Sequence, residues 1–161
     1  MVSSTSRALR LITDLLDFTE ARIGDGLKVA RVPVDLHRLV ADSVDELATA
    51  FHGRTLDHRH TGVGDCTLDP DRIVQLIGNL VGNAMSYGAR DRPVTVASSI
   101  EGEMLEISVH NEGSPIAASI IPSLFEPMVR GATGARSRGV GLGLYIVRQI
   151  ARDAKLGGSA L

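Results

Sequence analysis

The segment Arg138-Gly-Val-Gly-Leu-Gly-Leu-Tyr-Ile-Val-Arg148 sets three glycines at 139, 141 and 143 before an apolar run, Leu144 to Val147. Glycine lets backbone N–H groups approach an anion with no side chain in the way. A helix starting just behind adds unpaired amides and the positive end of its dipole, so the pair can cradle phosphate. The spacing is neither the Rossmann fingerprint nor a Walker loop, because no Gly-Lys-Ser/Thr follows. Flexible or packing glycines fit the segment as well as a phosphate loop does, so its meaning depends on what precedes it.

Immediately upstream, residues 131–139 hold three glycines, two arginines and no large apolar side chain, a composition that suits a mobile lid. Arg130, Arg136 and Arg138 are within reach of a triphosphate in that setting, because guanidinium matches phosphate geometry. Taken singly, each reads as a solvated loop arginine. Pro122 to Arg130 is expected to form a short helix followed by a loop. Further back, Val94, Val96 and Ser98 alternate with Thr95 and Ala97, Glu101-Gly-Glu103 turns, and Leu105, Ile107 and Val109 alternate again. This predicts an antiparallel hairpin running into Asn111-Glu-Gly-Ser-Pro-Ile116, a polar strand exit against exposed backbone.

Asp69-Pro70 opens a helix with a capping residue and a proline at the first helical position. Through Tyr87, Ile73, Leu76, Ile77, Leu80, Val81 and Ala84 share one face, and Gln75, Asn79, Gly82, Asn83 and Ser86 share the other. Asn79 and Asn83 lie one turn apart, so their amides project the same way. Asparagine is a mediocre helix former, and the pair reads either as an indifferent solvent face or as neutral oxygen ligands for Mg2+ or phosphate-bound water.

Toward the amino terminus, Leu56 to Thr61 and Cys66 to Leu68 are expected strands around the Gly62-Val-Gly64 turn. His58 and His60 alternate on one strand face, read as a solvated face for want of cysteine or carboxylate partners at metal-ligand spacing. Asp35 is set to cap a helix with Leu36, Leu39, Val40, Val44, Leu47, Ala48 and Phe51 on its core stripe. Val32 to Val34 fits a short strand. Ser6 to Ile23 reads as a helix with two apolar stripes, one of Leu9, Ile12, Leu16 and Ile23, the other of Leu11, Leu15 and Phe18. Two stripes exceed what one surface needs and suggest a helical bundle or dimer, with docking on its own domain as the alternative. Gly24-Asp-Gly26 then breaks the helix as a linker.

The 161 residues suit one domain plus an extra helix, and 43% hydrophobic with 22% charged residues are ordinary for a globular protein. A net charge of -2, aromatics at 3% and no tryptophan give no basis for a nucleic-acid partner. The single cysteine, Cys66, excludes an intrachain disulfide and favours a reducing, cytoplasmic setting. No apolar run is long enough to span a bilayer.

Taken together, residues from about 35 to 155 resemble the ATP-binding catalytic domain of sensor histidine kinases, in the GHKL superfamily with gyrase, Hsp90 and MutL. Gln75-Leu-Ile-Gly-Asn-Leu-Val-Gly-Asn-Ala84 resembles the N box, Asn111 to Ile116 the G1 box, Leu124-Phe-Glu-Pro-Met-Val-Arg130 the F box, and Gly139 to Leu144 the G2 box. The blocks follow the family's order. The resemblance implies an α+β fold, a two-layer α/β sandwich of the Bergerat type, with a mixed, largely antiparallel sheet covered by helices. It implies ATP and Mg2+ as cofactors, and ATP contacts from Asn79, Asn83, Tyr87, Asn111, Gly113, Ile116, Arg130, Gly139, Gly141, Gly143 and Leu144. Mg2+ would lie near Asn83, with Asn79 as a second ligand, held through the phosphates.

Four positions depart from the family's pattern. The usual G1 aspartate is Asn111 and the second G1 glycine is Pro115, an Asn-x-Gly-x-Pro form similar to that of bacteriophytochrome-like kinases. Ser86 stands where a basic residue is common, and Met128 where a second aromatic is usual. Leu15-Leu-Asp-Phe18 resembles the end of the dimerisation helix that precedes such domains. The implied division is 1–26, dimerisation segment and linker, and 27–161, catalytic domain shortened at its carboxyl end. None of His37, His52, His58, His60 or His110 lies in a phosphoacceptor context. The implied activity is a bacterial two-component histidine kinase. It would transfer the γ-phosphoryl group to a histidine on a separate helical domain, in cis or in a homodimer, for relay to a response-regulator receiver domain. The alternatives are a nucleotide-binding regulatory module with little kinase activity and a GHKL-type ATPase.

Overall fold

The computed structural model describes residues 4–24, 26–129 and 141–154. The first helix, α1, covers Ser4–Ile23. A strand, β1 (Val32–Asp35), leads into α2 (Leu36–Ala50), whose first turn is capped by the Asp35 carboxylate accepting from the Arg38 amide. Next come β2 (Leu56–Thr61) and β3 (Asp65–Leu68). Asp69 caps α3 (Pro70–Tyr87) by accepting from the Arg72 amide, with Pro70 supplying the first helical residue. The hairpin β4 (Val94–Glu101) and β5 (Met104–Asn111) follows, then a single 3-10 turn at Ile121–Ser123 and finally α4 (Gly143–Asp153). The capping pairs were legible because each is local: a carboxylate satisfies an orphan N–H three residues on.

The strands form two sheets, a two-stranded β1–β3 pair and a three-stranded sheet in the order β2–β4–β5. The β1–β3 and β4–β5 pairs are antiparallel, and β2 runs parallel to β4 from Leu56 opposite Val94 to Thr61 opposite Ser99. The two strands flanking Gly62–Gly64 therefore belong to different sheets. A parallel pair needs a crossover, and here β3 and α3 supply it. The expected α+β fold of mixed strands packed against helices is observed, with the strands divided between two sheets rather than gathered in one.

The core lies between the sheet and helices α2, α3 and α4. It is built from Leu36, Val40 and Val44, from Ile73, Ile77 and Val81, from Val94 and Val96, and from Ile146 and Ile150. These are the stripes that the 3.6-residue and two-residue periods pick out. At Pro122 to Arg130, expected as a short helix followed by a loop, the helix is a single 3-10 turn at Ile121–Ser123, and turns follow as far as Met128. Pro122 and Pro127, five residues apart, leave too little uninterrupted backbone for an α-helix.

The His58–His60 face also differs from expectation. His60 is exposed, but His58 is half-buried and its Nε2 lies 3.1 Å from Ser98 Oγ. His37, buried in the first turn of α2, places Nδ1 2.8 Å from the same hydroxyl and stacks on His60 at 4.7 Å. This face of β2 looks toward α2, and only the pairing of β2 with β4 brings Ser98 alongside it. No group of three or more His, Cys, Asp or Glu side chains among the described residues can hold a metal ion.

Candidate functional site

Asn79 and Asn83 sit on the α3 face turned away from the core, both half-buried. The start of α4 crosses this face, and a methyl group built on Gly143 would lie 3.6 Å from the Asn79 side chain. Among the described residues no side chain caps α4, whose preceding residue is Leu142. Gly143 at its start lies beside Asn79, and no described side chain supplies an acceptor for the first amides there. Asn79 Nδ2 is buried without a hydrogen-bond partner among the described residues. A buried donor is costly to leave unmade, so this atom marks a place for an acceptor.

At the other end of α3, Tyr87 is the last helical residue and is exposed, and Gly88 bridges antiparallel to Gly113. Ala89 N–H donates to Glu112 O at 2.6 Å. The two backbones approach so closely that neither glycine has space for a side chain. A Cβ on Gly113 would meet Tyr87 O at 2.8 Å, and one on Gly88 would meet Ala84 O at 2.5 Å and Asn111 Cβ at 3.1 Å. This seam sets Asn111, the last residue of β5, against the carboxyl end of α3. Ile116 follows as an exposed residue.

A third seam joins the 124–129 segment to α4. Met128 N–H donates to Gly141 O at 2.9 Å, and both residues have left-handed backbone, with φ of 63° and 81°. A Cβ on Gly141 would lie 3.0 Å from Val129 O, so this position needs glycine for both reasons. Arg148 Nη1 on α4 donates to Glu126 Oε1 at 2.9 Å and ties the same two segments together. Leu144 is half-buried in the first turn of α4.

The structure thus brings Gly143 beside Asn79, one turn before Asn83 on α3, and brings Tyr87, Asn111 and Gly113 together at the carboxyl end of the same helix. Arg130 and Gly139 lie outside the described residues, as do Arg136 and Arg138 of the expected lid.

Sequence reading overlooked Arg54. Its guanidinium donates to Met85 O at 3.1 Å and Ala89 O at 3.0 Å, satisfying carbonyls at and beyond the carboxyl end of α3. This is what a cation at a helix carboxyl end does, but Arg54 lies 31 residues upstream of Met85 and no local pattern announces it.

Residues 68–160 match the model of the family described as histidine kinase-, DNA gyrase B-, and HSP90-like ATPase. A bacteriophytochrome of Pseudomonas aeruginosa is 36% identical over 152 residues, 93% of this chain and 21% of that protein. The sensor histidine kinase GlrK of Escherichia coli K12 is 30% identical over 158 residues, 94% of this chain and 32% of its own. The chain therefore spans about a fifth to a third of these relatives. Among solved structures, full-length ShkA in complex with AMPPNP shares the fold with a TM-score of 0.76, at 24% identity, over 91% of this chain and 31% of that one. The nucleotide-free catalytic domain of histidine kinase ThkA does so at 0.64 and 23% identity, over 77% of this chain and 82% of that one. With the family's match covering more than half of its length, the chain belongs to the histidine kinase-, DNA gyrase B- and HSP90-like ATPases.

Proposed function

We propose that this chain is the ATP-binding catalytic part of a two-component sensor histidine kinase, with residues 27–161 as the nucleotide-binding module and 1–26 as the end of a dimerisation helix and its linker. The observation that carries this reading is the meeting of the Asn79–Asn83 stripe with the uncapped start of α4 at Gly143. Helix amino-terminal amides attract phosphate, and the unpartnered Asn79 Nδ2 is a donor of the right kind beside them.

In this assignment the first amides of α4, around Gly143 and Leu144, bind the phosphates, with Gly141 and the outlying Gly139 shaping their approach. Asn83, with Asn79, supplies neutral amide oxygens. That donor set fits Mg2+, which takes few protein ligands when phosphates complete its shell. When bound, Mg2+ supplies charge neutralisation on the phosphoryl oxygens. Asn111 accepts from the adenine amino group through its side-chain carbonyl, next to Gly113, and Tyr87 and Ile116 flank the base. Arg130 is assigned to the phosphates.

These residues bind and orient the nucleotide, and none of them is a nucleophile. Phosphoryl transfer is chiefly positioning and electrostatics. The attacking imidazole is assigned to a histidine on a separate helical domain, in a homodimer or in cis, with relay to a response-regulator receiver domain. A second reading, a nucleotide-binding regulatory module without transfer, is favoured by Asn111, where a neutral amide replaces a charged acceptor, and by Ser86, where a basic residue is absent. No helix among the described residues is long and apolar enough to cross a membrane.

The test is calorimetric titration with AMPPNP, with and without Mg2+, of wild type and Asn83→Ala. Mg2+-dependent binding weakened about tenfold in the variant is expected. A folded wild type that binds no nucleotide would overturn the assignment. Transfer to a supplied phosphoacceptor domain then separates the kinase from the regulatory module.

A further inference from the structure

Helix α1 is docked with its acids inward and its leucines outward. Asp14 and Asp17 are only 8% and 5% exposed, whereas Leu9, Ile12, Leu15, Leu16 and Ile23 are between 54% and 83% exposed. A helix belonging to the core would show the reverse. Among the described side chains of α1, Phe18 and Ala21 pack against the core cluster, Phe18 by an edge contact to Tyr145 with ring centroids 5.4 Å apart.

The polar seam centres on one carboxylate. Asp17 Oδ1 accepts from Arg72 Nη1 at 2.8 Å and Asp17 Oδ2 from Gln75 Nε2 at 2.5 Å. Arg72 Nη1 also donates to Gln75 Oε1 at 3.0 Å, closing a three-residue ring of contacts. The linker is held by the same helix start. Ala30 N–H donates to Asp69 Oδ2 at 2.7 Å, and Arg72 Nε reaches Lys28 O at 3.4 Å. The end of α4 adds Asp153, which accepts from Leu27 N–H at 2.8 Å.

Arg72, Gln75, Asn79 and Asn83 follow at steps of three and four residues, so they form one stripe of α3. The contact with α1 occupies the first turns of the stripe whose later turns carry the asparagines. Between α1 and α3 runs a cleft of about 220 Å³ lined by Thr13, Asp14, Val74, Gln75, Gly78 and Asn79. A seam made this way is separable. On undocking, water re-solvates carboxylate and guanidinium, recovering the desolvation cost that docking imposed. An apolar seam would instead lose its whole buried area.

We propose that Asp17, Arg72 and Gln75 form a latch that parks α1 and its linker on the asparagine-bearing helix, and that its release frees α1 while leaving the nucleotide module folded. Its regulatory meaning rests on the nucleotide-site assignment above: α1 and Asn79 line the same cleft, so the latch fixes where α1 stands relative to the nucleotide module. The leucine face stays available in both positions.

Amide hydrogen exchange on the full chain tests this without nucleotide, comparing wild type, D17N, R72Q and the double variant. Each single change is expected to speed exchange across residues 15–23 and at Leu27 and Ala30 roughly tenfold, with the β4–β5 hairpin unaffected. Because the two residues share one interaction, the double variant should add little to either single. Unchanged exchange in α1, fully additive effects, or loss of protection spreading into β4 and β5 would overturn the latch. AMPPNP affinity, measured in parallel, should stay within about twofold of wild type. A wild type that binds no nucleotide sinks the site assignment while leaving the exchange result to decide the latch.

Discussion

Replacing Gly88 by alanine isolates the seam between α3 and the Asn111 turn. The backbone at Gly88, φ -72° and ψ 153°, is one that alanine adopts freely, so the substitution carries no dihedral penalty. All of its cost is contact: the new methyl meets Ala84 O at 2.5 Å, Asn111 Cβ at 3.1 Å and Asn111 Nδ2 at 3.2 Å. Ala84 O cannot retreat cheaply, because it accepts from Gly88 N–H at 2.8 Å. Overpacking against fixed backbone costs about 2 kcal/mol, equivalent to a fall in Tm of roughly 4–8 °C for a chain of this size. Gly78 is the matched control, ten residues earlier in α3 with nothing within 4 Å of an added Cβ. There alanine should stabilise by about 0.5–1 kcal/mol, raising Tm by roughly 2 °C, because mid-helix glycine is costly. Thermal melts followed by circular dichroism, with AMPPNP titration of each variant, check both. Gly88→Ala should also weaken nucleotide binding, since the clash pushes on Asn111. A Gly88→Ala protein melting within a degree of wild type, or a Gly78→Ala protein falling as far as it, would refute the reasoning.

Arg54→Ala strips the Met85 and Ala89 carbonyls of their charged donor. A loss of about 1–3 kcal/mol is expected, read as a lower Tm and faster amide exchange around Gly88. The histidines at the α2–β2 seam make stability pH-dependent. Burial, then the neighbouring His60 and His37, hold the His58 imidazole below its usual 6.5, with Asp45 opposing. The unfolded chain thus takes up the proton at higher pH than the folded one, so the stabilisation is complete above 6.5 and is lost as pH falls through the lowered folded value. Between pH 7.5 and 5.5, wild type should lose more Tm than His58→Gln, whose amide can still meet Ser98 Oγ, and equal losses would exclude His58 as the cause.

The sequence by itself determined what is local. Asp35 and Asp69-Pro70 announce α2 and α3 because a cap acts over three residues, and the apolar periods of those helices name the core because each element buries one face. The ordered blocks at 75–84, 111–116, 124–130 and 139–144 identify the family because each keeps its chemistry within a few residues. Tertiary structure alone decided what depends on distant partners. The parallel pairing of β2 with β4 turned His58 from solvent toward Ser98 and His37. Arg54 became the cap of a helix it does not belong to. The backbones of Gly88 and Gly113 closed on each other. In α1 the sequence offered two apolar stripes, and the choice of buried face fell instead to Asp17. Its partners Arg72 and Gln75 lie 55 and 58 residues away, beyond the reach of any periodicity. Side-chain period tells which residues of a helix share a face, but which face is buried is set by the surface that meets it.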